Sequence, residues 1–216
     1  LNAQTKDFNY AIPDLQDITE SFGDNQPRFF SLLDIKSAFF TMPISKDSQR
    51  LTAFNSCYGT FKFLRLPQGL KTSAQSFQLL MDKIFRGVSY KSVVCYLDDV
   101  AVMSPTWSQH LADLQEVLTR LGDAGLKLGP SKCSFGQTKC VFLGHEISSD
   151  GLAPPPDRVA ALNNNPAPKN LKAVRRLWGL VNWFRKYIPN LSVIGKPITK
   201  LLNAKAPFEW GDEQIQ

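Results

Sequence analysis

The 216-residue chain has few of the residues that build disulfide frameworks or zinc sites. Its four cysteines form no C-x-x-C pair, and only two histidines could join them as zinc ligands. We therefore expect reduced thiols, buried or half-buried, in a protein of the cytosol or nucleus. The cysteines lie at positions 57, 95, 133 and 140.

Long apolar runs are also missing. No run approaches the ~20 residues that a membrane span needs, and the first residues lack the basic-then-apolar pattern of a signal peptide. The sequence therefore predicts no membrane partner. There is no initiator methionine either, and Leu1-Asn2-Ala3 is typical of the interior of a longer sequence, so we expect a fragment of a polyprotein.

The chain does have an ordinary globular composition, combined with an uneven charge. Hydrophobic residues make up 43% and aromatic residues 11%, so it should fold as one domain or two closely packed subdomains. The net charge is +6, but residues 151–205 carry ten Lys or Arg against the single acid Asp157, which is +9 and leaves −3 elsewhere. Such a basic face indicates either a nucleic acid partner or a solvated helix surface, and charge alone does not decide between them.

Apolar runs and alternating patterns predict strands and hairpins in the first part of the chain. A buried strand that contains one acid, Asp34, is expected within residues 28–44. A hairpin is expected over 51–64, and two short strands flank Asp98-Asp99 within 93–103. A further hairpin is expected over 140–148.

Two amphipathic helices are predicted between these strands. The first begins near Thr72, with Gln75 completing a capping box, and the second begins near Thr106, capped by Gln109, and ends at Gly125. The predicted apolar stripes are Phe77, Leu80, Met81, Ile84 and Phe85 in the first helix and Leu111, Leu114, Leu118 and Leu121 in the second.

This order favours an α+β fold, with a mainly antiparallel sheet and helices on one face. Pro154-Pro155-Pro156 marks a change to a basic, helical segment, so a subdomain boundary is expected near Pro154. One side of that segment is predicted to be apolar through Leu171, Val174, Leu177, Val181 and Phe184.

Three aspartates occupy unusual positions. Asp98 and Asp99 fall between two apolar strands, and adjacent side chains can reach one site only where a turn breaks the alternation of a strand. Taken alone, the pair could equally be a solvated hairpin tip, since Asp is common in turns. Asp34 lies in an apolar strand, where an unpaired carboxylate would cost on the order of several kcal/mol, so it needs a cation, hydrogen-bond donors or an exposed strand end.

A metal site would reconcile these three carboxylates. Brought together, they would repel one another by roughly 4 kcal/mol per pair at 4 Å and an effective dielectric of about 20. Oxygen-only ligands indicate Mg²⁺, with Mn²⁺ as a substitute, and two ions about 3.5–4 Å apart would activate a hydroxyl and stabilise a leaving phosphate. The sequence therefore predicts nucleotidyl transfer, with Asp34, Asp98 and Asp99 as metal ligands and catalytic residues.

Several motifs resemble those of reverse transcriptases, over nearly the whole chain. Residues 33–40 resemble the first carboxylate motif of that family, 66–69 its template- and nucleotide-positioning loop, and 96–99 its paired-carboxylate turn. Residues 124–128 together with Lys132-Cys133 are similar to its lysine-bearing motif, and 142–145 to its primer-grip hairpin. The tail at 177–189 resembles the thumb of gypsy-type LTR-retrotransposon enzymes.

The resemblance implies further site residues. Ile35, Phe39, Gln68 and Lys132 would bind the nucleotide, with the backbone of Ile35 near the ion and Lys132 donating a proton to pyrophosphate, a role for which Lys127 competes. The ring of Phe39 would exclude a 2′-hydroxyl, although core packing explains an aromatic residue there equally well. Primer and template would be bound by Tyr96, Leu97, Gly144, His145, Lys172, Arg175 and Arg176.

The resemblance also implies a domain order: a polymerase palm followed by a small helical thumb, with incomplete fingers. Residues 1–27 would be a remnant of the fingers, 28–153 the palm, 154–205 the thumb and 206–216 the start of a connection toward RNase H. The basic residues of the fingers that bind the triphosphate would lie upstream of Leu1.

The expected function is that of an RNA-directed DNA polymerase module of a retroelement polyprotein, which extends a primer on an RNA or DNA template with dNTPs. Its partners would be primer–template, dNTPs, and the RNase H and integrase domains of the same polyprotein. Its location would be the cytoplasm, within virus-like particles, or the nucleus. The rivals are an inactive or domesticated remnant that binds nucleic acid through the basic segment, and a structural module; the survival of all three aspartates argues against the first.

Overall fold

The computed structural model describes residues 1–14, 17–18, 21, 26–203 and 208–215. The chain divides into two compact units. The first comprises Leu1–Leu143 and Ile147–Leu152, and the second comprises Gly144–Glu146 and the chain from Ala153 onward. The predicted domain boundaries stay predictions. Two of them, near residues 27 and 205, adjoin ranges that lie outside the described residues, namely 22–25 and 204–207. Lys205 of the predicted basic segment therefore also lies outside the described residues.

The first unit is built on an antiparallel four-stranded sheet with the order β4-β5-β1-β6. A separate hairpin pairs β2 with β3, and a three-stranded sheet has the order β7-β8-β9. The strands are β1 (Phe29–Asp34), β2 (Phe54–Ser56), β3 (Gly59–Phe61), β4 (Val93–Tyr96), β5 (Asp99–Ser104), β6 (Ser134–Gln137), β7 (Lys139–Phe142), β8 (His145–Ser148) and β9 (Gly151–Ala153).

The helices of the described residues fall into two groups, with the longest ones on either side of Pro154. Short 3-10 turns occur as well, at Ala38–Thr41, Arg50–Thr52 and Pro130–Lys132 among others. The α-helices are α1 (Lys46–Gln49), α2 (Ser73–Ile84), α3 (Trp107–Asp123), α4 (Pro156–Asn163), α5 (Leu171–Trp183), α6 (Leu191–Ile194), α7 (Lys196–Lys200) and α8 (Asp212–Ile215).

Alternation along the central strands gives the four-stranded sheet two buried faces. On one face, helices α2 and α3 contribute to a core with the sheet. The opposite face packs on residues of β7 and β8. The α+β prediction with helices on one face is therefore confirmed. The helix-side core includes Leu33, Phe77, Met81, Val93, Val100, Val102, Val117 and Leu121, and the other core includes Phe30, Val94, Ala101, Met103, Phe142 and Ile147.

Some local predictions were wrong. Thr72 makes no side-chain capping bond to α2, so the predicted capping box is absent, and Oε1 of Gln75 is buried without a hydrogen-bond partner among the described residues. Leu111 and Leu118 are exposed, because α3 buries His110, Asp113, Val117 and Leu121 instead. Strands β6 and β9 were not predicted, and Cys57 is exposed rather than buried.

Other predictions are confirmed. The side chain of Thr106 accepts a hydrogen bond from the backbone N–H of Gln109, as expected for the cap of α3. Gly125, at φ 71, follows the end of that helix in the left-handed conformation expected of a C-terminal glycine. The hairpin within 51–64 is present but shorter than predicted, since Leu51 and Thr52 lie in a 3-10 turn.

The second unit is helical around one well-buried side of α5. Val174 and Phe184 are buried there, whereas Leu171, Leu177 and Val181 are half-buried, which follows the predicted stripe. The helix begins with Asn170, whose side chain accepts a hydrogen bond from the Ala173 backbone N–H. Across the described ranges, no helix has the length and apolar character needed to span a membrane.

Candidate active site

The candidate active site lies at one edge of the four-stranded sheet, where one strand ends and its antiparallel neighbour begins. Strand β1 ends at Asp34 and β5 begins at Asp99, and these two residues are partners in the antiparallel register. The backbone N–H of Ile35 donates to the carbonyl of Asp98 at 3.4 Å. Because directly paired residues of a ladder have Cβ atoms roughly 5 Å apart, the sheet brings Asp34 and Asp99 to one place although 65 positions separate them in the sequence.

The turn between β4 and β5 consists of Leu97 and Asp98, because Tyr96 already pairs with Asp99. Leu97 has φ 56, a left-handed conformation that costs an L-residue with a side chain roughly 1–2 kcal/mol. Such strain persists only where the surrounding structure holds it, and it concentrates at functional sites. The predicted turn that breaks the strand alternation is therefore present and strained.

The carboxylate of Asp99 has an unusual environment. Burial raises its pKa above the ordinary value, although part of the residue remains exposed, and the negative charges of Asp98 and then Asp34 raise it further. Lys132 acts in the opposite direction. The ammonium of Lys132 lies 3.3 Å from Oδ1 of Asp34, so a cation already sits beside the carboxylates.

The described residues contain no group of three or more His, Cys, Asp or Glu side chains drawn together closely enough to hold a metal ion. Asp34 and Asp99 are cross-strand partners, and Asp34 is ion-paired with Lys132. The donor set nevertheless fits Mg²⁺, which is commonly held by one or two carboxylates together with substrate phosphates. Burial first, and then the negative charges of Asp98 and Asp34, raise the pKa of Asp99, and a divalent cation would relieve the part that is due to charge. The assignment of all three as ligands stays a prediction.

A cavity of about 440 Å³ opens beside these carboxylates. It is lined by Asp34 and Asp98, and it contains every residue that was predicted to bind the nucleotide: Ile35, Phe39, Gln68 and Lys132. Lys127, the competitor for the proton-donor role, does not line it. The structure thus brings together residues that lie up to 98 positions apart in the sequence.

Phe39 packs in the core and also lines the cavity, whereas its exclusion of a 2′-hydroxyl stays a prediction. Its half-buried ring packs against Phe77 of α2, with centroids 5.3 Å apart, and the same residue forms part of the cavity wall. Its backbone belongs to a 3-10 turn that follows Ser37, which has φ 56. Core packing therefore fixes the ring at the edge of the cavity.

Gly129 is a site residue that the sequence reasoning missed. Its backbone N–H donates to the carbonyl of Asp34 at 2.9 Å, and a Cβ added to it would lie 2.9 Å from Oδ2 of that residue. The glycine therefore allows the loop that carries Lys132 to approach Asp34. Its place just before Pro130, between the two parts of the lysine-bearing motif, was the available signal.

The residues predicted to bind primer and template are divided between the two units. Tyr96 and Leu97 are half-buried at the catalytic turn in the first unit. In the second unit, one side of α5 carries three exposed basic residues, Lys172, Arg175 and Arg176. Gly144 and His145 also belong to the second unit. Nothing in the geometry tests their contact with nucleic acid, and these assignments stay predictions.

His145 is surrounded by aromatic and basic side chains. Its ring is buried and stacks on Trp183 with centroids 5.3 Å apart, and its Nδ1 is hydrogen-bonded to the hydroxyl of Tyr187. Nε2 lies 3.3 Å from Nζ of Lys186, and burial, Lys186 and Arg158 lower its pKa. Both ring nitrogens thus already have neighbours, and a contact between this ring and a primer would have to replace them.

The antiparallel sheet with helices on one face and the paired aspartates beside a cavity of about 440 Å³ define a polymerase palm. The family model of reverse transcriptases (RNA-dependent DNA polymerases) matches residues 1–147. A retrovirus-related Pol polyprotein from transposon 297 of Drosophila melanogaster is 35% identical over 209 residues, which is 97% of this chain and 20% of that polyprotein. The transposon Tf2-3 polyprotein of Schizosaccharomyces pombe is 31% identical over 216 residues, or 100% of this chain and 16% of that polyprotein.

Solved structures agree with these relatives. A foamy viral protease–reverse transcriptase in complex with an RNA/DNA hybrid matches with a TM-score of 0.80 and 26% identity, over 96% of this chain and 28% of that one. The same type of protein in complex with double-stranded DNA matches with a TM-score of 0.80 over 98% of this chain and 43% of that one. The chain belongs to the reverse transcriptase family, and it spans about a fifth or less of the length of the retrotransposon polyproteins that it resembles.

Proposed function

We propose that this chain is the nucleotidyl-transfer core of an RNA-directed DNA polymerase in a retroelement polyprotein, joining dNTPs to a primer 3′-hydroxyl. The observation that carries the proposal is the cross-strand pair Asp34–Asp99 beside the cavity lined by Ile35, Phe39 and Gln68. Family membership supports the same reaction.

Asp34, Asp98 and Asp99 would hold two Mg²⁺ ions, or Mn²⁺ in their place. When bound, the ions would lower the pKa of the primer hydroxyl and neutralise charge on the phosphates. Asp34 and Asp99 would offer carboxylate oxygens from the paired ends of β1 and β5, which supports a shared cation site there. The strained Leu97 turn places Asp98 at the cavity wall.

The remaining cavity residues would orient the nucleotide. The ring of Phe39 would lie against the sugar and leave no room for a 2′-hydroxyl, since Phe77 packs on it from behind. The amide of Gln68 is exposed at the cavity and could hydrogen-bond the incoming nucleotide. Lys132 is the candidate to donate the proton to the leaving pyrophosphate, because its ammonium already faces Asp34.

The partners follow from the same proposal. The foamy viral relatives were solved with an RNA/DNA hybrid and with double-stranded DNA, which supports a primer–template as the partner of this chain. Exposed basic residues on α5 would contact phosphates. RNase H and integrase domains would follow in the same polyprotein, and the protein would work in cytoplasmic virus-like particles or in the nucleus.

Primer extension tests the proposal and separates it from its rivals. The chain, joined to its upstream fingers, is given a labelled primer on an RNA template and on a DNA template, with dNTPs and either Mg²⁺ or Mn²⁺. Templated extension that EDTA abolishes is the expected result. Binding of primer–template without extension would favour a domesticated, inactive remnant, and neither binding nor extension would favour a structural module.

A further inference from the structure

A buried glutamine touches the strained turn that carries the paired aspartates. Gln78 lies in α2 and is 0% exposed, and its Oε1 accepts a hydrogen bond from the backbone N–H of Leu97 at 2.8 Å. Its Nε2 donates to the carbonyl of Cys95 at 3.3 Å. One amide side chain therefore holds the backbone on two sides of Tyr96, directly before Asp98.

The orientation of that amide is set from outside the turn. Nε2 of Gln78 also donates to Oδ1 of Asp82 at 2.9 Å, one helical turn further along α2. The other oxygen of Asp82 accepts from the hydroxyl of Tyr10 at 2.6 Å. Tyr10 belongs to the N-terminal segment, 68 positions before Gln78 in the sequence.

The chemistry of these groups allows only one arrangement. An ionised carboxylate accepts hydrogen bonds and donates none, so the Gln78 amide must turn its NH₂ toward Asp82. Its oxygen then faces the N–H of Leu97. The reversed amide would place an oxygen against the Asp82 carboxylate and an NH₂ against the Leu97 N–H, which would leave buried hydrogen-bonding groups unpaired and is therefore unfavourable.

We propose that Gln78 is a positioning residue for the catalytic turn, and that Asp82 and Tyr10 hold its amide in the productive orientation. The relay Tyr10–Asp82–Gln78–Leu97 stabilises the left-handed Leu97 and so sets where Asp98 and Asp99 stand. None of its three side chains touches the cavity beside the carboxylates. The expected effect of the relay on kcat rests on the proposed function, whereas its effect on the conformation of Leu97 does not.

Three substitutions separate the steps of the relay. Gln78→Met keeps the approximate volume but removes every hydrogen bond, so kcat should fall about tenfold with little change in KM. Asp82→Leu removes the acceptor that orients the amide, while the Cys95 carbonyl remains, so a smaller loss of about threefold is expected. Asp82→Asn keeps an oxygen that can accept from Gln78 and should restore most of the wild-type kcat.

The test combines single-turnover primer extension with hydrogen exchange at the Leu97 amide, measured by NMR on the whole chain. We expect Gln78→Met to speed exchange at Leu97 at least about tenfold, while a Tyr58→Phe control on the exposed hairpin tip leaves exchange and kcat unchanged. Unchanged Leu97 exchange in Gln78→Met, or equal kcat in Asp82→Leu and wild type, would overturn the relay. A wild-type chain that does not extend primers would instead count against the proposed function, and exchange at Leu97 would still decide the relay.

Discussion

The ammonium of Lys132 lies 3.3 Å from Oδ1 of Asp34, across 98 positions of sequence. This ion pair joins the lysine-bearing loop to the end of β1 at the proposed catalytic centre. The side chain of Lys132 is 72% exposed, so the pair itself adds little to stability. The role of the ion pair would be catalytic, because it holds the proton donor Lys132 beside the site where the nucleotide is proposed to bind.

Replacing Lys132 therefore tests that role. Lys132→Met should lower kcat by about 10²-fold, the lower end of what a general acid contributes, and leave primer–template binding within about threefold. Lys127→Met is the matched control, because Lys127 carries the same group in the same motif but does not line the cavity. Equal kinetic losses in the two variants, measured in single-turnover extension, would remove the proton-donor assignment.

Phe39 allows a test of sugar selection. Phe39→Val should raise the incorporation of ribonucleotides relative to deoxynucleotides by at least about tenfold, because the cavity gains the space of the lost ring. Phe40→Val is the neighbouring control, since the ring of Phe40 is 43% exposed and lies outside the cavity. A ratio unchanged in Phe39→Val would mean that its ring serves core packing against Phe77 alone.

A substitution at Gly129 tests the close approach of its loop to Asp34. In Gly129→Ala the new Cβ would meet Oδ2 of Asp34 at 2.9 Å, so that carboxylate or the loop must shift. We expect extension to fall about tenfold or more with a small change in melting temperature, since misplacement of about 1 Å can cost 10²-fold in rate. Gly122→Ala in α3, where an added Cβ would meet nothing within 4 Å apart from its chain neighbours and the helix's own backbone, should keep full activity.

A buried histidine predicts how stability depends on pH. His110 is 0% exposed, with Nε2 at 2.7 Å from the hydroxyl of Ser31 and Nδ1 at 3.2 Å from that of Ser104. Burial lowers its pKa, although Asp113 acts in the opposite direction. The folded chain therefore binds this proton less readily than the unfolded chain does, and the unfolding free energy should fall as pH drops below the ordinary pKa of about 6.5.

The measurement is urea unfolding between pH 5 and pH 8. The variant His110→Asn should be less stable at pH 8 by roughly 1–3 kcal/mol and should lose less stability on acidification than wild type. His145, whose pKa is also lowered by burial, supplies a second contribution of the same sign, so His145→Asn is the matched comparison. Identical pH slopes in wild type and His110→Asn would show that His110 does not titrate on unfolding.

Much of this fold could be predicted because its signals are local. Strand β1, the hairpin around Asp98 and Asp99 and the helix α2 each carry their own periodicity, and the three aspartates were recognised by being carboxylates in apolar surroundings. The cavity residues followed from family motifs. Structure then added the register that sets Asp34 against Asp99.

What could not be predicted depends on tertiary contacts. The face of α3 that is buried includes His110 and Asp113, because Ser31 and Ser104 on the sheet supply their partners, and no helical pattern reveals such partners. The closeness of Gly129 to Asp34 depends on a loop that returns to β1, and the bond from Leu97 to Gln78 depends on the packing of α2 under the turn. Each of these joins segments far apart in the sequence.

The most direct test of the central claim is single-turnover primer extension with Mg²⁺ by Asp34→Asn and Asp99→Asn, with primer–template binding measured in parallel. Asn keeps the shape but removes the charge that would hold a divalent cation, so each variant should lose at least about 10³-fold in extension rate and retain binding within about threefold. Asp150→Asn, in the exposed turn between β8 and β9, is the matched control and should extend primers like wild type. Undiminished synthesis by either Asp34→Asn or Asp99→Asn would contradict the account.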